Sequence, residues 1–295
     1  MKSAPLPTRN GISPSYIWLP EGRWQNALDF LCSHFPEVDE QTWLGRFSKQ
    51  EIRTAEGEIL TPSSTVKRGM CLYYYREVEN ETSIPFQETL LFQNEDLLVV
   101  DKPHFLPVTP GGNYLKETLL VRLKNSTGID FLTPLHRLDR ETAGVILFSC
   151  NPRTRGRYQA LFQQNCMEKT YHAIAAFLPN LPSPYLKRSR LEESSQFFVM
   201  REVDGEANSE TLISVIERRG DHALYRLQPK TGKKHQLRVH LASLGAPILN
   251  DRFYPQALPA GNDDFERPLK LLAKSISFTD PHSQEHHQFE SQLSL

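Results

Sequence analysis

Five of the six residues His136-Arg137-Leu138-Asp139-Arg140-Glu141 are charged or titratable, and Thr142, Ala143 and Gly144 then lead directly into the apolar run Val145-Ile146-Leu147-Phe148. The β-branched content of Gly144 to Phe148 predicts a buried strand. Ionised side chains cannot follow that strand into a sheet without partners, so they have to gather at its mouth. This junction dictates a sheet whose end opens on a charged cleft. The carboxylate of Asp139, set between two arginines, is held ionised and aimed at that cleft. The plainer alternative is an ion-pair turn with a purely structural role.

Short β-rich runs separated by turns surround the junction. Leu97–Val100, Thr170–Phe177 and Glu210–Ile216 read as strands, and Leu115–Lys124, Arg153–Gln164 and His235–Leu244 read as helices. They do not alternate as β-α-β. That predicts an α+β fold, a mixed and largely antiparallel sheet flanked by helices. Pro179–Ser195, rich in Pro, Ser and basic residues, and Tyr254–Pro268 read as long loops. The N-terminal region is different in kind: Trp18, Trp24 and Trp43, all the tryptophans of the chain, fall there. Trp24, Ala27, Leu28, Leu31 and Phe35 follow helical spacing up to Pro36, a second helix begins near Glu40, and Val66–Tyr75 reads as a strand. These elements make a small α/β module. The expected organisation is a module over 1–80, a linker over 81–90, a main domain over 90–280 and a polar tail over 281–295. The 295 residues suffice for two cores.

The formal net charge is −1, which excludes a wholesale basic protein that coats nucleic acid. Its distribution is uneven. Residues 1–90 carry nine basic and twelve acidic side chains, whereas residues 134–190 carry nine basic against three acidic, and 226–250 carry five basic and no acidic ones. Two basic stretches in a neutral chain predict one positive face that attracts a polyanion. Cys32, Cys71, Cys150 and Cys166 lie far apart, which argues against a zinc ribbon or a disulfide scaffold and for a reducing compartment. The first residues lack an apolar signal-like core, and the longest apolar run, Ala173–Leu178, is too short to span a bilayer. A soluble, cytoplasmic monomer with no membrane partner is expected.

A second cluster is Thr231-Gly232-Lys233-Lys234-His235-Gln236-Leu237-Arg238-Val239-His240. A phosphate-binding P-loop would need Gly where Leu227 stands and Ser or Thr where Lys234 stands, so that reading fails. With His235 opening a helix, Gln236, Arg238 and His240 are expected to project from its first turn toward an anion. Metal ligation has little support, since His235 and His240 are five apart and no H-E-x-x-H or Cys/His cluster occurs. Neither a G-x-S-x-G elbow nor a G-x-G-x-x-G loop is present, so no cofactor is expected.

Together these segments resemble the RluA-type pseudouridine synthase family. His136 to Gly144 is similar to its H-R-L-D-x-x-T-S-G pattern, with Ala143 for Ser. Thr231 to His240 is similar to T-G-R-x-H-Q-[IL]-R-x-H, with Lys233 for Arg, and Gly245 to Asp251 to G-x-P-I-x-G-D, with Asn250 for Gly. Asp101-Lys102-Pro103 to Val108 resembles the segment that opens the catalytic domain, and Glu168 to Tyr171 the K-x-Y strand. Residues 1–80 resemble, more faintly, a ribosomal-protein-type RNA-binding module, with Val66 to Gly69 as its closing turn, although their acidic balance departs from the usual basic surface.

The resemblance implies isomerisation of a uridine in ribosomal or transfer RNA, without metal or cofactor. The base leaves its stack, the bond from ring nitrogen to ribose breaks, and the ribose rejoins at carbon 5. Asp139 is implied as nucleophile or charge-stabilising carboxylate, Arg238 as its partner, and Tyr171 as the stacking platform and proton relay. Arg137 is implied as the wedge that replaces the flipped base. Arg140, Lys169, Lys233 and Lys234 are assigned to phosphates, and His235 and Gln236 to the RNA-binding set. Two rivals stand beside this reading. One is a non-catalytic RNA-binding protein that keeps the cleft. The other is a glycosidic hydrolase using Asp139 and Glu141, which needs two carboxylates about 5–10 Å apart across a sugar.

Overall fold

In the computed structural model, which describes residues 4–195, 198–259, 261 and 263–295, the chain divides into two units. The smaller runs to Thr82 and includes Gly111–Lys116 and Val121–Asp130; the larger holds Ser83–Pro110, Glu117–Leu120 and Phe131–Leu295. The first three residues of the expected 1–80 module lie outside the described residues.

The smaller unit contains β1 (Ser15–Trp18), α1 (Ala27–His34), α2 (Glu40–Ser48), β2 (Arg53–Thr54) and β3 (Cys71–Tyr74), with sheet order β1-β3-β2. Both helices start at residues suited to capping: Asn26 accepts from the Asp29 N–H and Asp39 from the Thr42 N–H. Phe30 and Leu31 of α1 and Trp43 and Phe47 of α2 meet Leu72 and Tyr74 in one core. The strand expected from Val66 begins only at Cys71, because Gly69 turns the chain at a φ of 80°.

The larger unit continues with β4 (Thr89–Gln93) and β5 (Leu97–Lys102), and it takes the first two residues of α3 (Leu119–Thr127). Next come β6 (Thr133–Pro134), β7 (Ala143–Ser149), α4 (Arg155–Gln163), β8 (Glu168–Ala176), β9 (Tyr185–Glu193), β10 (Met200–Val203), β11 (Ser209–Arg219) and β12 (His222–Pro229). Last are α5 (Gln236–Ser243), β13 (Leu271–Thr279) and β14 (His286–Glu290). The strands form one sheet in the order β10-β9-β11-β12-β8-β13-β7-β5-β4, with β6 on β7 and β14 on β13. Only the β13–β7 pairing is parallel among the described residues. The fold is therefore α+β on a mixed, mostly antiparallel sheet.

That parallel contact positions the site. It lasts two residues, Leu272 opposite Ala143 and Ala273 opposite Gly144, after which the same edge of β13 passes to β14. Gly144 has a φ of +113°, and a Cβ there would lie 2.2 Å from the Ala273 carbonyl oxygen, so only glycine permits the approach. On its other side Ala273 pairs with Tyr171 of β8. The row Gly144–Ala273–Tyr171 thus sets the charged turn that feeds β7 beside the tyrosine. Helix α5 covers one half of the sheet, with Leu237 and Leu241 on Ala173, Tyr225 and Leu227, and α4 places Tyr158 on Leu97, Val145 and Leu147 in the other.

Three expectations are corrected here. Residues 179–195 are not all loop, since Tyr185–Glu193 forms β9. Arg188 and Arg190 alternate outward with the buried Ser189 and Leu191, a period-2 pattern that composition conceals. The polar tail contains β14, whose Phe289 packs on Phe92 and Phe278, and Ser291 and Gln292 beyond it donate to the Asp101 carboxylate. Helix α3 starts at Leu119 rather than Leu115, where the Leu115 N–H is held instead by the Glu81 carboxylate. The described residues between Tyr254 and Pro268 form neither helix nor strand.

Candidate active site

Residues 136–142 are pinned from beneath. Lys102, fully buried at the end of β5, donates its ammonium to the carbonyls of Pro103 (2.9 Å), Leu106 (2.8 Å) and Arg140 (3.0 Å). Burial pulls its pKa down to about 7, against the attraction of Glu141 and Asp139. The His104 ring lies 2.6 Å through Nδ1 from the Glu141 carbonyl. His136 Nε2 accepts from the Leu147 N–H at 3.1 Å, and burial pushes this imidazole to about 3, so it is a neutral acceptor. Sequence reading missed Lys102. Its signal was a lone cation ending a strand of otherwise buried residues.

Arg238 of α5 is 1% exposed and meets three carboxylates. Nε and Nη2 donate to the two oxygens of Asp251 at 2.8 and 2.7 Å; Nη1 reaches Asp139 Oδ2 at 3.3 Å and Glu141 Oε2 at 3.6 Å. Burial opposes the guanidinium charge, but the hydrogen bonds and attraction of Asp251, joined by Asp139 and Glu141, outweigh it and raise its pKa. The Asp139–Arg238 pair is as the sequence implied. The principal partner, Asp251, was visible only as the end of a motif with no role attached.

A pocket of about 290 Å³ opens beside this pair, lined among others by Arg137, Asp139, Lys169, Tyr171, Lys233 and Arg238. Among the described residues the Tyr171 hydroxyl has no hydrogen-bond partner. Burial, then the nearby Asp139 charge, raises its pKa, so the phenol stays protonated. Arg137 and Lys233 are exposed and have no ion-pair partner among the described residues. Burial lowers the pKa of Lys169, and the Lys234 ammonium lies 4.8 Å over the Phe198 ring.

Other expected site residues are held by partners within the protein, although His235 and Gln236 still line the pocket. Arg140 forms a two-pronged pair with Asp263 (2.6 and 2.7 Å) and reaches Glu141 (3.2 Å), which binds its fork to carboxylates rather than leaving it for phosphate. The buried Gln236 carboxamide donates to the Glu210 carbonyl and Thr211 hydroxyl and accepts from the Thr231 hydroxyl and Lys233 N–H. Its capacity is filled internally. His235 precedes α5 in the left-handed region (φ 54°), bonded through Nδ1 to the Tyr254 hydroxyl at 2.9 Å, with Nε2 3.8 Å from Asp139; burial lowers its pKa. His240 points into the core, not toward an anion, and lies within hydrogen-bond distance of the Ser189, Ser209 and Thr211 hydroxyls. These polar groups face inward because α5 is buried along most of its length.

The sequence pattern of the family described as RNA pseudouridylate synthase matches residues 96–243, which carry both the Asp139 turn and Arg238. The chain belongs to the RNA pseudouridylate synthase family. The synthase is thus an isomerase acting on RNA, and the reading as a binding protein without chemistry falls. It is 28% identical over 265 residues to an uncharacterised RNA pseudouridine synthase of Synechocystis, covering 88% of this chain and 90% of the relative. Against the Homo sapiens pseudouridylate synthase RPUSD2 it is 35% identical over 167 residues, 56% of this chain, and spans only 30% of that protein's length. A solved structure, human RNA Pseudouridylate Synthase Domain Containing 4, aligns with a TM-score of 0.55 at 29% identity, over 70% of this chain and 88% of that one.

Proposed function

We propose that this synthase isomerises a specific uridine in structured ribosomal or transfer RNA, with the uridine flipped into the 290 Å³ pocket and Asp139 as the essential carboxylate. The observation that carries this reading is the contact of Asp139 Oδ2 with Arg238 Nη1, 3.3 Å, at the wall of a pocket that also holds Tyr171. The reaction breaks the bond from N1 to C1′ and forms one from C5 to C1′, after which C5 loses its proton. An ionised Asp139 serves the first step either by attacking C1′ or by stabilising positive charge on the ribose. Arg238 holds that carboxylate in place at the pocket wall through Nη1. The Tyr171 ring offers a face for the uracil while it turns. Since its phenol is held protonated, a relay of the C5 proton through it has to pass its own proton on in the same step. Arg137, exposed at the rim, fills the space the base leaves, and flipping costs a few kcal/mol that such contacts offset.

Depletion of the protein, with restoration as wild type or Asp139→Ala and pseudouridine mapping across cellular RNA, tests the proposal. Wild type should restore at least one site, and Asp139→Ala should restore none while still binding the RNA. Restoration by the variant, or no site that depends on the protein, refutes it.

A further inference from the structure

Beside the uridine pocket lies a second hollow of about 430 Å³ that shares Arg137, Lys169, Tyr171 and Gly232 with it. Phe162, in the last turn of α4, lines it and stacks on His136 with ring centroids 4.7 Å apart and planes 26° from parallel. His136 is neutral, so this aromatic pair brings no charge. Two exposed carboxamides, Gln163 and Asn165, also line the hollow, and their side chains have no hydrogen-bond partner among the described residues. Asn165 sits just past α4 at a φ of 55°. Isomerisation of a base in the first pocket uses neither the Phe162 ring nor the two carboxamides.

We propose that this hollow binds an unpaired purine adjacent in the RNA to the target uridine, a subsite that sets sequence preference; the inference rests on the first pocket taking the uridine. Sequence-specific RNA recognition works on splayed bases that stack on aromatic faces and are read along their hydrogen-bonding edges. A carboxamide offers donor and acceptor side by side, the pattern that matches adenine. Arg137 and Lys169 stand between the hollows, where the phosphate linking neighbouring nucleotides would meet positive charge.

The test takes the full chain and a library of RNA hairpins whose loops hold one uridine between randomised neighbours. Pseudouridine is read by sequencing after chemical marking. Wild-type products should be enriched in purine on one side of the modified uridine by at least about fivefold, the scale of one base-edge contact. Gln163→Ala and Asn165→Gly, the latter keeping the left-handed backbone, should each bring that enrichment below about half its wild-type value. Gln164→Ala, outside the hollow, should leave it in place. A wild type with no neighbour preference, or variants that keep it, overturns the subsite alone. A folded wild type that marks no uridine overturns the reading of the first pocket, and the subsite with it.

Discussion

Arg238 approaches Asp139 with a single nitrogen, Nη1 at 3.3 Å from Oδ2, because Nε and Nη2 are already donated to the two oxygens of Asp251. Asp251 fixes the guanidinium plane, and the third nitrogen is left directed at the pocket. The guanidinium that holds Asp139 is thus oriented by a carboxylate that does not line the pocket.

Asp251 is completely buried, so neutralising it leaves a desolvated guanidinium without its main counter-charge. Asp251→Asn should lose about 3–5 kcal/mol in urea unfolding, the scale for breaking a buried pair by removing one partner. A loss under 1 kcal/mol would show that Asp139 and Glu141 compensate the charge unaided.

Gly144→Ala should be more damaging than its size suggests. It adds a Cβ 2.2 Å from the Ala273 oxygen in a backbone region that L-residues avoid. A destabilisation of roughly 3 kcal/mol or more is expected, seen as a large drop in melting temperature or insoluble expression.

Stability should fall with acid through His240, which is buried and pushed by burial to about 4. The unfolded chain takes up this proton near pH 6.5 and the folded chain does not until about pH 4. Between those values the unfolded state binds more protons, so the contribution is complete above about pH 6.5 and is lost as the pH falls. The slope approaches about 1.4 kcal/mol per pH unit. Urea unfolding from pH 7 to 4.5 should show a shallower loss in His240→Asn than in wild type.

Lys233 is exposed at the pocket rim. Lys233→Ala should weaken RNA binding and reduce the salt dependence by about one phosphate contact. Lys233→Arg, which offers a two-pronged phosphate fork, should bind at least as tightly as wild type. Titrations across 50–200 mM salt decide both.

The charged turn and strand β7 were legible because a run of ionisable residues feeding an apolar one has few physical solutions. The strand after Gly144 follows from it, whereas the meeting of Asp139 with Arg238 came only with the resemblance to the family. Partners supplied by distant segments were not legible: Asp263 for Arg140 and Asp251 for Arg238 are chosen by tertiary packing. Gln236 and His240 misled because polar residues in a helix's first turns look like ligands. Here every hydrogen-bonding slot of Gln236 is taken up inside the protein. Strand β9 was hidden because its outward cations dominate the composition of the segment.

The strand that unites the two halves of the sheet, β13, is formed by residues 271–279 and therefore leaves the ribosome after β7 and β8, the two strands between which it sits. Until then the edges of β8 and β7 that it will occupy stay open, a template for wrong pairing. A premature stop before Leu271 would release two unfinished half-sheets for chaperones or proteases to deal with, not a slower enzyme.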